Sequence, residues 1–525
     1  MSNTPVSTTY SEQATRLVAG VAKDGWGSVR PSLYETARVT SVAPWLAGES
    51  RRVAYLLEKQ AADGSWGDGP EPYRLLPTLS AVEALLAVLR RGTTPAERAG
   101  RLTAAADRGL AALRALPPTG PWPDTAAAEI LVPSLVARIN EHLDLATAGE
   151  LPGSGGWSPG ARAAVPGGYH EAAPAYVAKK YGSAGSLPVK FHHTYEGIAG
   201  HLPETLVPGV EGLLGSSPAA TATLAATARS DSGATARAVA VLDPVARRYD
   251  GLFPEAAPIL VFERLWVAAA LARVGLPDAT LATVRGWADQ IYDPEGVRGA
   301  PGLMKDADDT AMAVLVSSLA GRPRDPAALD LFHNGSHYDC YLGEDTGSVT
   351  ANAHALQALL AHVRQRPESA ETYGHRADKL SDWLVGQQRP EGYWSDKWHA
   401  SPYYATERCV SGLAWCEGAH AAGAVGAAAA WVLETQGGDG SWGVWGGTVE
   451  ETSYAAKILL SAAVPEEARG RHTRALDDAE AYLSAAALPG HRHPALWHDK
   501  TLYAPDAMIE AEVLAVREML RARRG

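Results

Sequence analysis

Three carboxyls fall within four positions in the run MKDADDTAMAV that begins at Met304: Asp306, Asp308 and Asp309, immediately ahead of an apolar stretch. Residues of this type at this spacing admit three kinds of chemistry. An Asp at the N-cap or in the first turn of a helix accepts backbone N–H bonds and complements the helix dipole. Clustered carboxylates also suit Mg²⁺. Finally, like charges this close cannot all ionise cheaply, so a dry site retains at least one proton, and a neutral carboxylic acid can then donate it. Taken alone, the run is explained most simply by capping, and the elements around it decide whether more is involved.

Those elements read as helices. In YRLLPTLSAVEALLAVLRRG, Val82, Leu85, Leu86 and Leu89 build one apolar stripe at i, i+3, i+4 and i+7, and Arg90, Arg91 and Gly92 supply a C-terminal stop. No comparable series of alternating strands is present, which predicts an all-α chain of short helix–loop–helix units. The heptads QAADGSW from Gln60, QRPEGYW from Gln388 and QGGDGSW from Gln436 share Gln, Gly and Trp at the first, fifth and seventh positions, each after a helix-like segment. Such self-similarity predicts stacked helical hairpins. Gly allows a tight turn, Trp packs over it, and Gln bonds free backbone groups at a helix end. The heptads therefore inform on the scaffold and not on chemistry. The stretch rich in Ala, Thr and Ser from Ala219 to Ala240 is compatible with helix, and the Gly- and Pro-rich segment from Gly149 to Gly168 reads as a connecting loop.

At 525 residues, with 46% hydrophobic and 20% charged residues and 15 Trp, the chain has material for more than one core, and two large domains are expected. A net charge of -12 argues against a nucleic-acid partner, because phosphate backbones are held by clustered Lys and Arg. Cys340, Cys409 and Cys416 form neither a CxxC pair nor an even set, so a disulfide framework or thiolate zinc site is not expected. The N-terminus lacks a basic region followed by an apolar core, and no run of about 18 apolar residues occurs. The expectation is a cytoplasmic protein with no membrane partner.

These pieces together resemble a known family. DADDTAM is similar to the DxDD motif of class II terpene cyclases, and the three heptads resemble the QW motifs of the same superfamily, which includes squalene-hopene cyclases. PSLYETARVTSVAPWL from Pro31, QAADGSWGD followed by YRLLPTLSAVEALL, EILVPSLV from Glu129, HHTYEG from His192, VFERLW from Val261, DKWHASPYYAT and LWHDKTLYAP extend the likeness, with plant-type diterpene cyclases above all, over nearly the whole chain. With the resemblance, the acid reading of the three Asp residues displaces capping.

The resemblance implies two α/α-barrel domains, called β and γ, with the site between them: β from 1–50 and 276–525, γ inserted at 51–275, and no class I α domain. It implies bicyclisation of geranylgeranyl diphosphate to a copalyl diphosphate-type product with the diphosphate retained. In these roles Asp308 matches the general acid, and Asp306 and Asp309 the carboxyls that orient it. Trp266, Trp398, Tyr403, Tyr404 and Trp415 are candidates to line a cavity that stabilises cations. Glu129 matches the acidic position associated with Mg²⁺, and Lys179, Lys180, Lys190 and Lys500 are candidates to hold the diphosphate. His193 matches the His of a terminating dyad, while Glu255 stands where plant enzymes making ent-copalyl diphosphate have Asn. Asp477 and Asp478 are followed by Ala-Glu-Ala and do not form the DDxxD of class I synthases, so a separate class I terpene synthase is the plausible downstream partner. The alternatives are a class II cyclase acting on farnesyl diphosphate or squalene, and a non-catalytic α/α-barrel protein.

Overall fold

The computed structural model describes residues 6–152, 157–182, 187–203, 212–227, 233–256, 258–344, 346–486 and 492–524. Parts of the 149–168 loop and of the 219–240 stretch lie outside the described residues.

The chain opens with α1 (Thr8–Lys23) and continues through α2 (Leu33–Val42), α3 (Glu49–Glu58), α4 (Leu75–Arg90), α5 (Ala96–Ala115), α6 (Ala128–Thr147), α7 (Ala173–Tyr181), α8 (Pro218–Thr227) and α9 (Ala234–Arg248). There follow α10 (Leu260–Ala272), α11 (Asp278–Ile291), α12 (Ala307–Leu319), α13 (Val349–Gln365), α14 (His375–Gly386), α15 (Pro402–Leu413), α16 (Ala419–Glu434), α17 (Val449–Ser461) and α18 (Arg469–Ala485). A short hairpin, β1 (Trp497–His498) and β2 (Leu502–Tyr503), pairs Trp497 with Tyr503 and leads into α19 (Asp506–Arg523).

The helices close two rings. In the larger, α10, α12, α13, α15, α17 and α19 pack each on the next and α19 returns to α10, with α1, α11, α14, α16 and α18 outside them. In the smaller, α2, α4, α6 and α8 form the inside, and the turn Tyr195–Gly197 completes the circuit between α6 and α8. Helices that are apolar all round belong inside such a wall, and those with one apolar stripe belong outside. Residues 75–89 of α4 are all buried, whereas α18 buries only Ala475, Leu476, Ala479 and Leu483. The segment Glu71–Arg90 is long and apolar enough to cross a membrane, but 83% of it is buried in the smaller ring.

The cores correct the expected domain boundaries. Tyr34 and Ala37 of α2, expected in the first domain, pack with Leu79, Leu85 and Leu135 in the core of the smaller ring. Leu265, Trp266 and Leu271 of α10, expected in the insert, pack with Met312, Leu356 and Ile509 in the core of the larger ring. By packing, α2 goes with the helices of the smaller ring, and α1 and α10 go with those of the larger one.

Each QW heptad makes the same three bonds. Gln60 Nε2 donates to Gly64 O and Ala105 O, Gln388 to Gly392 O and Ala424 O, and Gln436 to Gly440 O and Ala475 O, at 2.8–3.1 Å. The indole N–H groups of Trp66, Trp394 and Trp442 donate to Leu56, Leu384 and Val432 O at 2.7–2.8 Å. Every heptad thus ties the end of one outer helix to the flank of the next.

Candidate active site

The N-terminal end of α12 carries the three Asp residues. Asp306 is its N-cap, extended at φ -141°, and accepts the Asp309 N–H at 2.7 Å. The turn is fixed from outside by Ala307 N–H donating to Cys340 O at 2.7 Å and by Thr310, whose hydroxyl accepts from Val297 N–H at 2.8 Å. Asp308 turns toward α13, where His354 Nδ1 lies 2.5 Å from Asp308 Oδ1. His354 is fully buried, its Nε2 has no hydrogen-bond partner, and the Trp266 ring stands edge-on to it at 5.2 Å. With the imidazole proton on Nδ1, Asp308 Oδ1 accepts and the acidic proton is left to Oδ2.

Electrostatics load this cluster with protons. Burial, then the neighbouring Asp309 and Asp308, push the Asp306 carboxyl well above its ordinary range. Burial and the Asp308 charge, opposed by a hydrogen bond from Asp306, raise Asp309 to about 7. Capping and acidity are divided among the residues: Asp306 caps the helix while Asp308 retains 17% exposure.

Aromatic rings surround the space next to this acid. Trp266 Nε1 donates to Tyr404 Oη at 3.0 Å, Phe262 lies 4.3 Å from Trp266, and Tyr404 lies 4.7 Å from Trp497 of the hairpin. Buried Glu450 on α17 accepts from Trp497 Nε1 at 2.8 Å and Tyr454 Oη at 3.0 Å, which fixes two of these rings. Their π faces attract a cation that has shed its water.

The loop of the hairpin reaches into the smaller ring. His193 Nδ1 donates to Gly215 O at 2.6 Å and Nε2 lies 2.6 Å from Asp499 Oδ1. Burial opposes charge on His193, but the Asp499 carboxylate outweighs it and raises the imidazole pKa. Glu255 Oε1 accepts from the N–H and the hydroxyl of Thr501 at 2.6 and 2.7 Å, and burial with the Asp499 charge pushes Glu255 up to about 7. The Tyr503 phenol, paired across the hairpin with Trp497, is held well above its usual range by burial and then by the charges of Asp499, Glu255, Asp309 and Glu450.

A family model, the squalene-hopene cyclase C-terminal domain, matches residues 339–465. The copalyl diphosphate synthase of Streptomyces anulatus is 69% identical over 523 residues, which cover 100% of this chain and 94% of that protein. The copalyl diphosphate synthase of Streptomyces cyslabdanicus is 58% identical, covering 98% of this chain and 96% of that one. The chain belongs to the class II diterpene cyclases. The solved ent-copalyl diphosphate synthase from Streptomyces platensis is similar at TM-score 0.88 and 40% identity, over 98% of this chain and 99% of that one.

The cyclase fold brings some of the candidate residues together and separates others. Asp306, Asp308, Asp309, Trp266 and Tyr404 share the acid end, and His193 and Glu255 meet Asp499 and Thr501 on the two sides of one hairpin loop. Lys500 is different from expectation: it is fully buried, and its Nζ donates to Glu35 at 2.7 Å, Glu196 at 2.8 Å and Ser217 at 2.6 Å. Its three donors are thus taken up by buried partners at the base of the hairpin, which it anchors. Trp415 lies past the end of α15, about 16 Å along the helix from Tyr404, with the Arg364 guanidinium 4.1 Å from its ring. Tyr403 stacks at 4.6 Å on Trp431 of the outer helix α16 and faces away from the acid. Trp398 is half-buried at the hairpin, its ring 5.5 Å from the Lys397 ammonium.

Lys179 and Lys180 are exposed on α7, Lys180 over the Tyr181 ring at 5.2 Å. Lys190 instead lines a cleft of about 1190 Å³ together with His192, Arg298, Leu303, Lys305 and Phe332, where the smaller ring faces the loop leading to Asp306. Glu129 projects from the first turn of α6, and burial with the nearby Asp124 raises its pKa. Among the described residues no group of three or more His, Cys, Asp or Glu is arranged to hold a metal.

His354, Asp499, Trp497, Phe262 and Glu450 were not singled out from sequence. The one available signal is spacing: His354 sits 46 positions after Asp308, close to the 48 that separate the heptads at Gln388 and Gln436, which puts it in the N-terminal half of the next inner helix.

Proposed function

We propose that this class II diterpene cyclase converts geranylgeranyl diphosphate to a copalyl diphosphate-type bicycle, with Asp308 as the proton donor. The observation that carries the assignment is the Asp308–His354 pair: one oxygen of a carboxyl that keeps 17% exposure is tied to a buried imidazole, and that imidazole stands edge-on to Trp266. The two Streptomyces copalyl diphosphate synthases support the substrate and product class.

The steps follow from the residues. The Asp308 O–H bond breaks as a C–H bond forms at the terminal alkene, leaving a tertiary cation. Two internal alkenes attack in turn, and each new cation passes before the rings of Trp266, Tyr404 and Trp497. Protonating an alkene with a carboxylic acid is steeply uphill, so preorganised stabilisation of the cation carries much of the burden. The cascade ends when a C–H bond next to the last cation gives its electron pair to a new C=C bond and its proton to the polar cluster around His193. The diphosphate stays on the product, where it remains the leaving group for a class I terpene synthase downstream.

Glu129 and Asp124 fit a divalent cation of this kind. Mg²⁺ commonly takes only one or two protein carboxylates and completes its shell with substrate phosphates and water, and the mutual repulsion of this pair is what a cation relieves. Such an ion supplies charge that anchors the diphosphate and takes no part in the proton transfers. Lys190 and Arg298 line the cleft on the same side of the molecule as the path to Asp306 and supply further positive charge.

The test is to incubate wild type and Asp308→Asn with geranylgeranyl diphosphate, with Mg²⁺ or with a chelator, and to identify the dephosphorylated products by gas chromatography with mass spectrometry. A bicyclic alcohol from wild type that falls at least about 10³-fold in the variant is expected, with a weaker yield under chelation. Undiminished bicycle from Asp308→Asn, or cyclisation of farnesyl diphosphate alone, would overturn the assignment.

A further inference from the structure

The hairpin loop between β1 and β2 sets three titratable groups where the cascade must end, and their bonds distinguish them. His193 has no lone pair to offer. Gly215 O is an acceptor only, so Nδ1 carries a proton, and Nε2 faces Asp499 Oδ1 at 2.6 Å and shares a proton with it. Glu255 has its Oε1 filled by the Thr501 N–H and hydroxyl, and although its Oε2 has no hydrogen-bond partner the residue is only 1% exposed, so it is the enclosed carboxyl of the two. Asp499 is fixed at one oxygen by His193, its Oδ2 has no hydrogen-bond partner, and its side chain keeps 14% exposure although Lys500 beside it has none. Asp499 follows Trp497 by two positions, and the Trp497 ring lies 4.7 Å from Tyr404, which bonds Trp266 at the acid end.

We infer that the Asp499 carboxylate is the base that terminates the cascade, with His193 as the residue that positions it. The inference rests on the cyclase reading above. In this step a C–H bond adjacent to the final cation breaks, its electron pair becomes the C=C bond, and the proton goes to the Asp499 carboxylate. Asp499 then returns a proton to solvent and Asp308 regains one, so the isomerisation needs no co-reactant. The bias of His193 toward its charged form agrees with an imidazolium that holds the carboxylate in place.

The experiment compares Asp499→Asn, Asp499→Glu, Glu255→Gln and His193→Gln with wild type on geranylgeranyl diphosphate, reading the distribution of products and not only their total. Asp499→Asn leaves Asp308 untouched and is expected to consume substrate within about tenfold of wild type, while the share of the wild-type product falls at least tenfold in favour of isomeric alkenes or hydroxylated bicycles. Asp499→Glu should recover part of that share, and Glu255→Gln should keep the wild-type product. Retention of that product by Asp499→Asn, or its loss in Glu255→Gln alone, would overturn the assignment. If circular dichroism shows Asp499→Asn unfolded, His193→Gln decides: a slower enzyme with the wild-type product still dominant supports Asp499, and loss of that product in favour of others makes His193 the base. Absence of any bicycle from wild type would defeat the cyclase reading itself, a result separate from any shift among bicycles.

Discussion

A crowded trio of acids is useful only if its members differ. Here Asp306 spends one oxygen on the Asp309 N–H, Asp309 lies buried beside it, and Asp308 alone pairs with a residue of another helix. That division makes His354 the residue whose removal should hurt most after the Asp residues. In His354→Phe the ring remains but the Nδ1–H donor is gone, so Asp308 Oδ1 loses its tie and the proton loses its aim. Turnover of geranylgeranyl diphosphate should fall by about 10²-fold with the same product distribution and an unchanged melting curve. An unaltered rate would make the pair merely structural. The Asp cluster was legible in the sequence because its members are adjacent. His354 was not, because nothing in a lone His forty-six positions away declares which ring atom faces which carboxyl. The surroundings of Lys500 were hidden for a related reason: a Lys in a family-like segment reads as an exposed cation until Glu35 and Glu196 are seen against it.

The elements explain why these residues meet. Asp306, Ser348, Ser401 and Thr448 cap α12, α13, α15 and α17 with their own side chains, and the N-terminal halves of these inner helices surround the acid. The positive end of the α12 dipole therefore lies where Asp308, in its first turn, is left anionic after it gives up its proton. Holding that register is the work of the QW heptads, whose Gln and Trp reach from one outer helix to the next. Gln388→Leu removes the donor to both Gly392 O and Ala424 O and strands two acceptors, at a cost of about 1–3 kcal/mol. Trp394→Ala also empties a fully buried ring site, at about 3–5 kcal/mol. Both losses should appear as lower midpoints in urea with products unchanged per folded molecule. A changed product pattern with full stability would mean that the heptads touch the chemistry. Helical class and repeats were readable from Gly, Trp and the 3.6-residue stripe. The assignment of α2 and α10 to a ring was not: α2 buries Glu35, Thr36, Arg38 and Thr40 along with its apolar residues, α10 is buried along most of its length, and only packing shows which ring each joins.

At the scale of the whole molecule, the two rings are joined by buried charge. Lys500 of the larger domain enters the smaller one between Glu35 and Glu196, and the same region holds Glu255 and the His193–Asp499 pair. Burial, offset in part by Lys500, raises Glu35 to about 8, and Glu255 and Asp309 are raised to about 7. An unfolded carboxyl titrates near 4, so between roughly pH 4 and 8 the unfolded chain has released these protons while the folded one keeps them. Their contribution is whole below pH 4, is lost as pH rises through 7 to 8, and changes no further above that. Glu407 acts in the opposite sense: despite burial, Arg408 and Lys457 lower it to about 2, so its contribution is present above about pH 4.5 and lost on acidification toward 2. The two sets bracket an optimum near pH 5. The melting temperature should therefore decline from pH 5 to pH 8.5 at constant ionic strength, by on the order of 5 °C or more, and Glu35→Gln should flatten that decline. A melting temperature that is level or rising over this range would mean that Glu35 and Glu255 are already ionised at the junction, with Lys500 and His193 balancing them.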